Sequence, residues 1–426
     1  MSKRLALLLI ATAALTAPAV ASADVVTDWN RTMVETLEVD KTPPPPSARV
    51  GAIVQSAVFD SVNGIARRYT PMHVLPDAPR GASRAAAAAG AAHEALVTLF
   101  PAQQAMLDQR LDDTVSQIAD ASKRDDRSIA EGLQWGKTVA DETLAWRATD
   151  GINTVPPTYA PAGIPGRWAP TPPAFVLMPL FRQFATMTPF ALASPDQFLP
   201  APPPPLTSAR YARDFNEVKA LGSANSTIRT PEQTQTAIFW QSDTPTAIWN
   251  RVADDLAQQR GRSMLAGARI LALMNISLAD SAIAIWNAKN TYDTWRPITA
   301  IQQAGSDGNS DTSPDPNWTP LLATPAFQEY PAGHPGVSNA AATVLASFYG
   351  DDTPFTATSN SLPGVERSFT SLSSAIGQIE NARVWGGIHF RTACVTAADM
   401  GAEVAQYVTR TRLLPLREHD RHQDGE

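Results

Sequence analysis

The 426-residue sequence has few of the residues that would cross-link the chain or bind a structural metal. A single cysteine, Cys394, is present, so no internal disulfide can form. The six histidines contain no HExxH pair, and structural zinc needs several thiolates or imidazoles at short spacing. These absences argue against a zinc site, and they predict that packing of the core provides the stability of the fold.

Positive charge is also scarce. The formal net charge is −7 at pH 7, whereas nucleic-acid binders usually concentrate Lys and Arg on one face, so we do not expect a nucleic-acid partner. Glycine-rich nucleotide loops, internal repeats and long alternating strands are absent as well. Hydrophobic residues make up 44% of the chain and charged residues 18%, as is usual for a folded globular protein.

The N-terminal segment is typical of an export signal. Lys3 and Arg4 precede an apolar run over 5–15, and residues 21–23 (Ala-Ser-Ala) form a cleavage site. The run is shorter than the roughly 20 residues of a spanning helix, so we expect a cleaved signal and not a membrane anchor. We therefore predict an exported protein, secreted or periplasmic, whose mature chain begins near Asp24.

Helical periodicity dominates the rest of the sequence, and the predicted class is mainly α. We predict helices over 50–68, 83–100, 102–119, 123–148, 208–221, 231–260, 264–287, 337–349, 368–385 and 396–412. The most apolar of these, 264–287, is interrupted by Arg269, Asn275 and Asp280. Each of these would be costly in hydrocarbon, so we predict no transmembrane span after removal of the signal.

A proline-rich stretch divides the helical pattern. Proline recurs over 151–206, with four in a row at Pro202–Pro205, which rules out a long helix there. Aromatic residues such as Trp168 and Phe190 make this stretch too apolar for a solvated tether, so we expect a loop wrapped on the surface. The predicted organisation is a signal peptide (1–23), an N-terminal helical region with this loop (24–206), a catalytic helical bundle (207–415) and a polar tail (416–426).

Two cations, Lys289 and Arg296, stand where the apolar helix ends, in the block KNTYDTWRP. An arginine fork can hold two oxygens of a tetrahedral anion, while a lysine adds a mobile point charge. Taken alone, the pair has a simpler interpretation, because cations at a helix C-terminus often interact only with its dipole and with solvent.

A second block, YPAGHPG at 330–336, comes directly before an alanine-rich helix. Pro335 disfavours helical geometry for His334, so we expect this histidine to project from an extended loop before the helix. Gly333 lets the backbone approach a ligand closely, and the helix N-terminus favours negative charge. The block therefore predicts an anion site.

The third block places His389 six positions beyond Arg383. On an unbroken helix these side chains would lie on different faces. Gly386 and Gly387 are expected to end or loosen the helix, so that the two side chains can converge. Each histidine alone fits a hydrogen-bonded core group, but three cations and two histidines together indicate a site that binds and turns over a tetrahedral oxyanion.

In this order the three blocks resemble the signature K-x6-RP, PSGH and SR-x5-H. That signature belongs to the family that joins vanadium-dependent haloperoxidases with type 2 phosphatidic acid phosphatases and bacterial non-specific acid phosphatases. The strings WRPITAI, TPAFQEYPAGH and GGIHF are similar to its exported bacterial haloperoxidase-like branch. The resemblance implies a helical bundle of that type, in which Lys289, Arg296 and Arg383 neutralise oxyanion oxygens and the Gly333 amide donates a further hydrogen bond.

The same resemblance implies roles for the remaining candidates. His389 would coordinate vanadium, or attack phosphorus in a phosphatase, and His334 would serve as general acid/base. Vanadate would be the cofactor, with peroxide and halide as substrates; a phosphatase would need no cofactor and would take a phosphomonoester. Trp286 and Phe327 resemble the aromatic pair of the chloroperoxidase halide pocket, although ordinary core packing explains such residues as well.

Three alanines depart from the family pattern. Ala332 replaces the PSGH serine, at a cost on the order of 1 kcal/mol for one neutral contact, and Ala382 replaces the serine of the third block. Ala393 stands where many members carry an aspartate that orients the histidine, so another group must hold the second ring nitrogen.

The leading prediction is a vanadium-dependent haloperoxidase or a haloperoxidase-like enzyme. The alternatives are a metal-independent acid phosphatase acting through a phosphohistidine, and a non-catalytic secreted helical protein whose site has decayed. The sequence leaves the halide, the organic acceptor and the oligomeric state open.

Overall fold

A computed structural model of the chain describes residues 24–122, 126–241 and 243–416. The predicted signal peptide and all but the first residue of the predicted polar tail lie outside the described residues.

The described part is mainly α-helical, which confirms the predicted class. The helices are α1 Val25–Val39, α2 Pro44–Ala66, α3 Arg84–Leu99, α4 Gln104–Ser122, α5 Asp126–Arg147, α6 Ala209–Leu221, α7 Pro231–Phe239, α8 Pro245–Gln259, α9 Met264–Tyr292, α10 Pro297–Gln302, α11 Gly333–Tyr349, α12 Leu372–Trp385 and α13 Arg391–Thr411. The strands β1 Phe355–Thr358 and β2 Glu366–Phe369 form an antiparallel pair with Phe355 opposite Phe369.

Three of the differences from the predicted helices change the number of helices. The sequence patterns did not predict α1 or the short helix α10. The single helix predicted over 231–260 is wrong, because the chain forms α7 and α8 there. Thr244 caps the first turn of α8, and Pro245 occupies its first position, where a missing N–H breaks no helical hydrogen bond.

The apolar helix α9 lies at the centre of the molecule. It is long and apolar enough to cross a membrane by length and composition alone, and 94% of its most apolar 18-residue window is buried inside the protein. Helices α2, α11 and α13 pack against it. One hydrophobic cluster extends from Val26 in α1 to Leu413 after α13, and it therefore includes side chains from both predicted helical regions.

The proline-rich loop follows the surface of this core and inserts aromatic side chains into it. Trp168, Phe184 and Phe190 are all buried. The Asp280 carboxylate, fully buried within α9, accepts hydrogen bonds from the amides of three consecutive loop residues, 190–192, at 2.6, 2.7 and 3.0 Å. These contacts tie the loop to the middle of the central helix, nine residues before Lys289.

Close packing of α11 on α13 fixes the N-terminus of α11. A Cβ atom at Gly401 would lie 1.9 Å from the carbonyl oxygen of Gly336, so only glycine allows this approach of the two backbones. The ends of α9, α10, α11 and α12 thereby bring the three sequence blocks to one region.

Candidate active site

A cavity of about 220 Å³ lies where these helix ends meet. Its wall includes six of the eight predicted site residues, namely Trp286, Phe327, Gly333, His334, Arg383 and His389. The structure therefore brings together residues that are separated by up to about a hundred positions in the sequence.

The other two predicted residues, Lys289 and Arg296, lie behind this wall and are fully buried. Lys289, in the last turn of α9, donates from Nζ to the carbonyl oxygens of Gln328 and Glu329 at 2.8 and 3.0 Å. Arg296, which precedes α10, donates from Nη1 to the carbonyl oxygen of Ile388 at 2.8 Å. Both cations thus hold the backbone segments from which the wall residues project.

Arg383 lies in the last turn of α12. Its Nη1 donates to the carbonyl oxygen of Trp240 at 3.1 Å and to Gln241 Oε1 at 3.2 Å. Its Nε is buried and has no hydrogen-bond partner among the described residues, and the same holds for Arg296 Nη2 and His334 Nε2. At the wall of a cavity, such atoms are available to a ligand or to water.

The expectation that His334 projects from an extended loop is wrong. His334 is the second residue of α11, and Ala332 is the N-cap. Pro335 is tolerated inside this first turn because the N–H groups there have no helical acceptor. Burial lowers the pKa of His334 well below its ordinary value, and the backbone of Asp243 opposes this shift in part.

His389 stands in the short connection between α12 and α13. The predicted glycine break is confirmed, because α12 ends at Trp385, Gly386 caps it, and Gly387 adopts φ +76°. The two ring nitrogens of His389 are both engaged. Nε2 lies 3.1 Å from Arg296 Nη1, and Nδ1 lies 3.0 Å from a carboxylate oxygen of Glu329.

Glu329 is the site residue that the sequence patterns missed. It is buried, and its Oε1 also accepts the main-chain N–H of Phe390 at 2.9 Å. It is the acidic residue of the string TPAFQEYPAGH. Because Ala393 stands in place of the family's aspartate, another group had to hold the second ring nitrogen of His389. An acidic residue inside one of the three sequence blocks was the feature that could have identified Glu329.

Burial dominates the electrostatics of the site. It lowers the pKa of His389 and the pKa of Lys289 well below their ordinary values, and nearby Arg296 lowers both further. Burial also lowers the pKa of Arg296 to about 9 and the pKa of Arg383 to about 10. The pKa of Glu329 rises to about 7, again mainly through burial. A bound anion would offset the cost of these dehydrated cations.

The aromatic pair forms an apolar side of the cavity. The ring centroids of Trp286 and Phe327 lie 5.2 Å apart. Lys289 Nζ lies 5.2 Å from the Phe327 ring centroid, and Arg296 Cζ lies 4.8 Å from it. Both aromatic residues are therefore part of the same packed unit as the cations.

Three buried cations and two histidines thus meet at converging helix ends, as the three sequence blocks predict. Residues 269–414 match the family described as the VCPO second helical-bundle domain. The chain is 26% identical to the vanadium chloroperoxidase of Curvularia inaequalis over 401 residues, which is 75% of this chain and 65% of that relative. It thus spans less than two thirds of the relative's length.

Two solved structures extend the comparison. The crystal structure of the first bacterial vanadium-dependent iodoperoxidase matches with 26% identity and a TM-score of 0.79, over 92% of this chain and 97% of that chain. A holo-type bacterial vanadium-dependent chloroperoxidase shares the fold at 18% identity and a TM-score of 0.66, over 87% and 92%. The chain is thus similar in sequence to vanadium haloperoxidases, and it has the same helical-bundle fold as these solved structures.

Proposed function

We propose that the protein is a vanadate-dependent haloperoxidase. The observation that carries this proposal is a 220 Å³ cavity lined by Arg383 and His334, with Arg296 behind its wall. Each of these three side chains has a buried nitrogen without a hydrogen-bond partner among the described residues. Guanidinium groups are donors only, so the two arginine nitrogens need acceptors, and an anion would supply both the acceptor oxygens and the opposite charge. A tetrahedral oxyanion fits the donor set, and the similarity to vanadium haloperoxidases supports vanadate over other such anions.

Residues of the chain would hold vanadate in the following way. His389 would bind it through Nε2 in place of the contact with Arg296 Nη1, while Nδ1 stays paired with the Glu329 carboxylate. The cations Lys289, Arg296 and Arg383 would offset its charge in a dehydrated setting, where such interactions are strong. The Gly333 amide, at the first position of α11, has no acceptor within the helix and is available to donate.

Bound vanadate would supply Lewis acidity that activates hydrogen peroxide towards a halide without a change in metal valence. The contribution of the chain is to handle protons and exclude water. His334 Nε2, neutral and unpartnered, can accept a proton from incoming peroxide and return it later. Trp286 and Phe327 give the cavity an apolar wall, which disfavours competing water beside the halide.

Halogenation of a phenolic dye by peroxide tests the proposal. Chloride, bromide and iodide are supplied in turn to vanadate-free protein, with and without added vanadate, beside hydrolysis of a chromogenic phosphomonoester. We expect halogenation only with vanadate. Hydrolysis without halogenation would assign the metal-independent phosphatase instead, and absence of both activities would assign a non-catalytic protein.

The His389→Ala variant, measured in the same halogenation assay, tests the role of this residue. We expect a loss of more than about a hundredfold, because the variant removes the atom that bonds the metal. His93→Ala is the matched control, since His93 pairs with Asp108 and does not line the cavity. A folded His389→Ala protein that keeps more than roughly a tenth of the wild-type rate would contradict the assignment.

A further inference from the structure

The ring of His389 is held from behind by a carboxylate from another part of the chain. Glu329 Oε1 lies 3.0 Å from His389 Nδ1, and both side chains are 3% exposed. The position four residues after His389, from which an aspartate on α13 could reach the same ring, is Ala393. Glu329 comes from the loop before α11 instead, so the carboxylate approaches from a different element.

We propose that Glu329 is the positioning residue of His389, and that it fixes the tautomer in which Nδ1 carries the proton and Nε2 keeps its lone pair. The inference rests on the proposed function, since it reserves Nε2 for the anion. Glu329 does not touch the anion itself. It acts through the ring, whose orientation and basicity depend on the partner of the second nitrogen.

The neighbours of the ring determine which nitrogen carries the proton. Glu329 Oε1 already accepts the main-chain N–H of Phe390 at 2.9 Å, which identifies it as an acceptor. On the opposite side, Arg296 Nη1 lies 3.1 Å from Nε2, and a guanidinium nitrogen can only donate. Nδ1 is therefore the donor to Glu329, and Nε2 is the acceptor.

Glu329 is itself fixed at three points. Its main-chain nitrogen donates to the carbonyl oxygen of Thr294 at 3.1 Å. Its main-chain oxygen accepts from Lys289 Nζ at 3.0 Å. Together with the carboxylate bonds, these contacts link the lysine of the first block to the histidine of the third block through the second. A side chain held in this way can define the orientation of the ring.

The structure also suggests a substitution that would place a carboxylate beside His389 from α13 in place of Glu329. Ala393 and Glu329 share the wall of a second cavity, of about 310 Å³, on the Glu329 side of the ring. Tyr211 and Phe390 line the same cavity. A longer side chain at position 393 therefore has space beside Glu329, and an aspartate there can replace the carboxylate from the α13 side.

The first test is the tautomer of the wild-type protein. Long-range ¹⁵N–¹H correlation spectra of histidine-labelled protein, assigned with His389→Ala, distinguish the two neutral forms. We expect the Nδ1–H form of His389. A predominant Nε2–H form would overturn the proposal, and this measurement needs no variant at Glu329 to fold.

The second test moves the carboxylate. We expect Glu329→Ala to lower phosphate affinity in calorimetry, and halogenation turnover, by about 10- to 100-fold, and to mix the two tautomers. Adding Ala393→Asp to this variant should restore the Nδ1–H form and most of the affinity. Asp399→Ala, an exposed acid on α13, is the control and should match wild type.

Two results would contradict the proposal in this second test. One is a Glu329→Ala protein with phosphate affinity within twofold of wild type and an unchanged tautomer. The other is a double variant no better than the single one, which would assign the loss to structural damage. Phosphate binding and the His389 tautomer do not depend on halide oxidation. If both measurements give the expected results but the protein does not halogenate the dye, only the proposed function is contradicted.

Discussion

The three cations of the site are buried and have therefore lost most of their contact with water. Lys289, Arg296 and Arg383 are all buried, yet two of the three retain a nitrogen without a partner. Removing a charge from water is strongly unfavourable unless hydrogen bonds and an opposite charge compensate. Main-chain carbonyl groups provide part of this compensation, and Glu329 provides the opposite charge. Under the proposed function, the remaining donors are preorganised for an anion, so little reorganisation would be needed when one binds.

Ala332 is the residue at which this preorganisation is incomplete, and we expect Ala332→Ser to tighten anion binding. Ala332 is the N-cap of α11 and makes no side-chain cap bond. A serine hydroxyl there can accept the N–H of His334 and still donate its own proton to an oxyanion oxygen. The expected gain is about 0.5 to 1.5 kcal/mol, roughly two- to twelvefold in affinity.

Calorimetric titration of phosphate and vanadate measures this gain, because a hydroxyl that binds ground and transition states equally leaves turnover unchanged. Ala209→Ser, at an exposed position in α6, is the control. Unchanged or weaker binding by Ala332→Ser would show that the N-cap does not face the anion.

At the scale of elements, the ends of several helices position the site residues, and the proline-rich loop packs against the central helix. Helices α9, α11 and α12 each contribute residues from a terminal turn or the connection beyond it. The proline-rich loop has no long helix of its own, so its order depends on side-chain contacts with the core. Asp280 provides such a contact, because one carboxylate satisfies three consecutive loop amides.

We therefore expect Asp280→Ala to destabilise the protein by about 2 to 5 kcal/mol, since three amides lose their buried acceptor. Urea unfolding gives the free energy, and limited trypsin digestion should cut the loop at Arg167 or Arg182 faster than in wild type. Asp120→Ala, an exposed acid on α4, should behave as wild type. Stability within about 0.5 kcal/mol of wild type, with an unchanged digestion pattern, would contradict this role of Asp280.

At the scale of the whole molecule, the N-terminal helices and the helices of the site share one core. Helix α2 packs along α9, and Gly51 of α2 faces Asn275 of α9. A Cβ atom at Gly51 would lie 2.4 Å from Asn275 Oδ1. That oxygen also accepts the amide of Asn250 at 2.9 Å, within a reciprocal pair between α8 and α9. The region outside the catalytic blocks thus supports α9 directly.

Gly51→Ala should destabilise the molecule as a unit, by about 1 to 3 kcal/mol through overpacking. Hydrogen exchange followed by mass spectrometry should show faster global opening for peptides of α2 and of α12 alike. Gly305→Ala, where nothing lies within 4 Å of the added Cβ, is the control. Faster exchange confined to the N-terminal helices would mean that the two regions unfold independently.

The sequence by itself determined the helical class and most helix positions, and it identified most of the residues that line or support the cavity. Period and composition are local properties, so α3, α9 and α12 are predicted to within a few residues. The three blocks identified the cations and histidines because oxyanion chemistry requires those residue types. The predicted end of α12 at the glycine pair also follows from local backbone preference, since φ +76° at Gly387 favours glycine.

Only the tertiary structure decided how these parts meet. Pro335 by its local preference placed His334 in a loop, but packing of α11 against α13 extends the helix to Gly333. The partner of His389 could not be identified from spacing, because Glu329 reaches it across 60 residues from another element. Local patterns report the conformation of a segment, whereas the pairing of buried charges depends on which segments the shared core brings together.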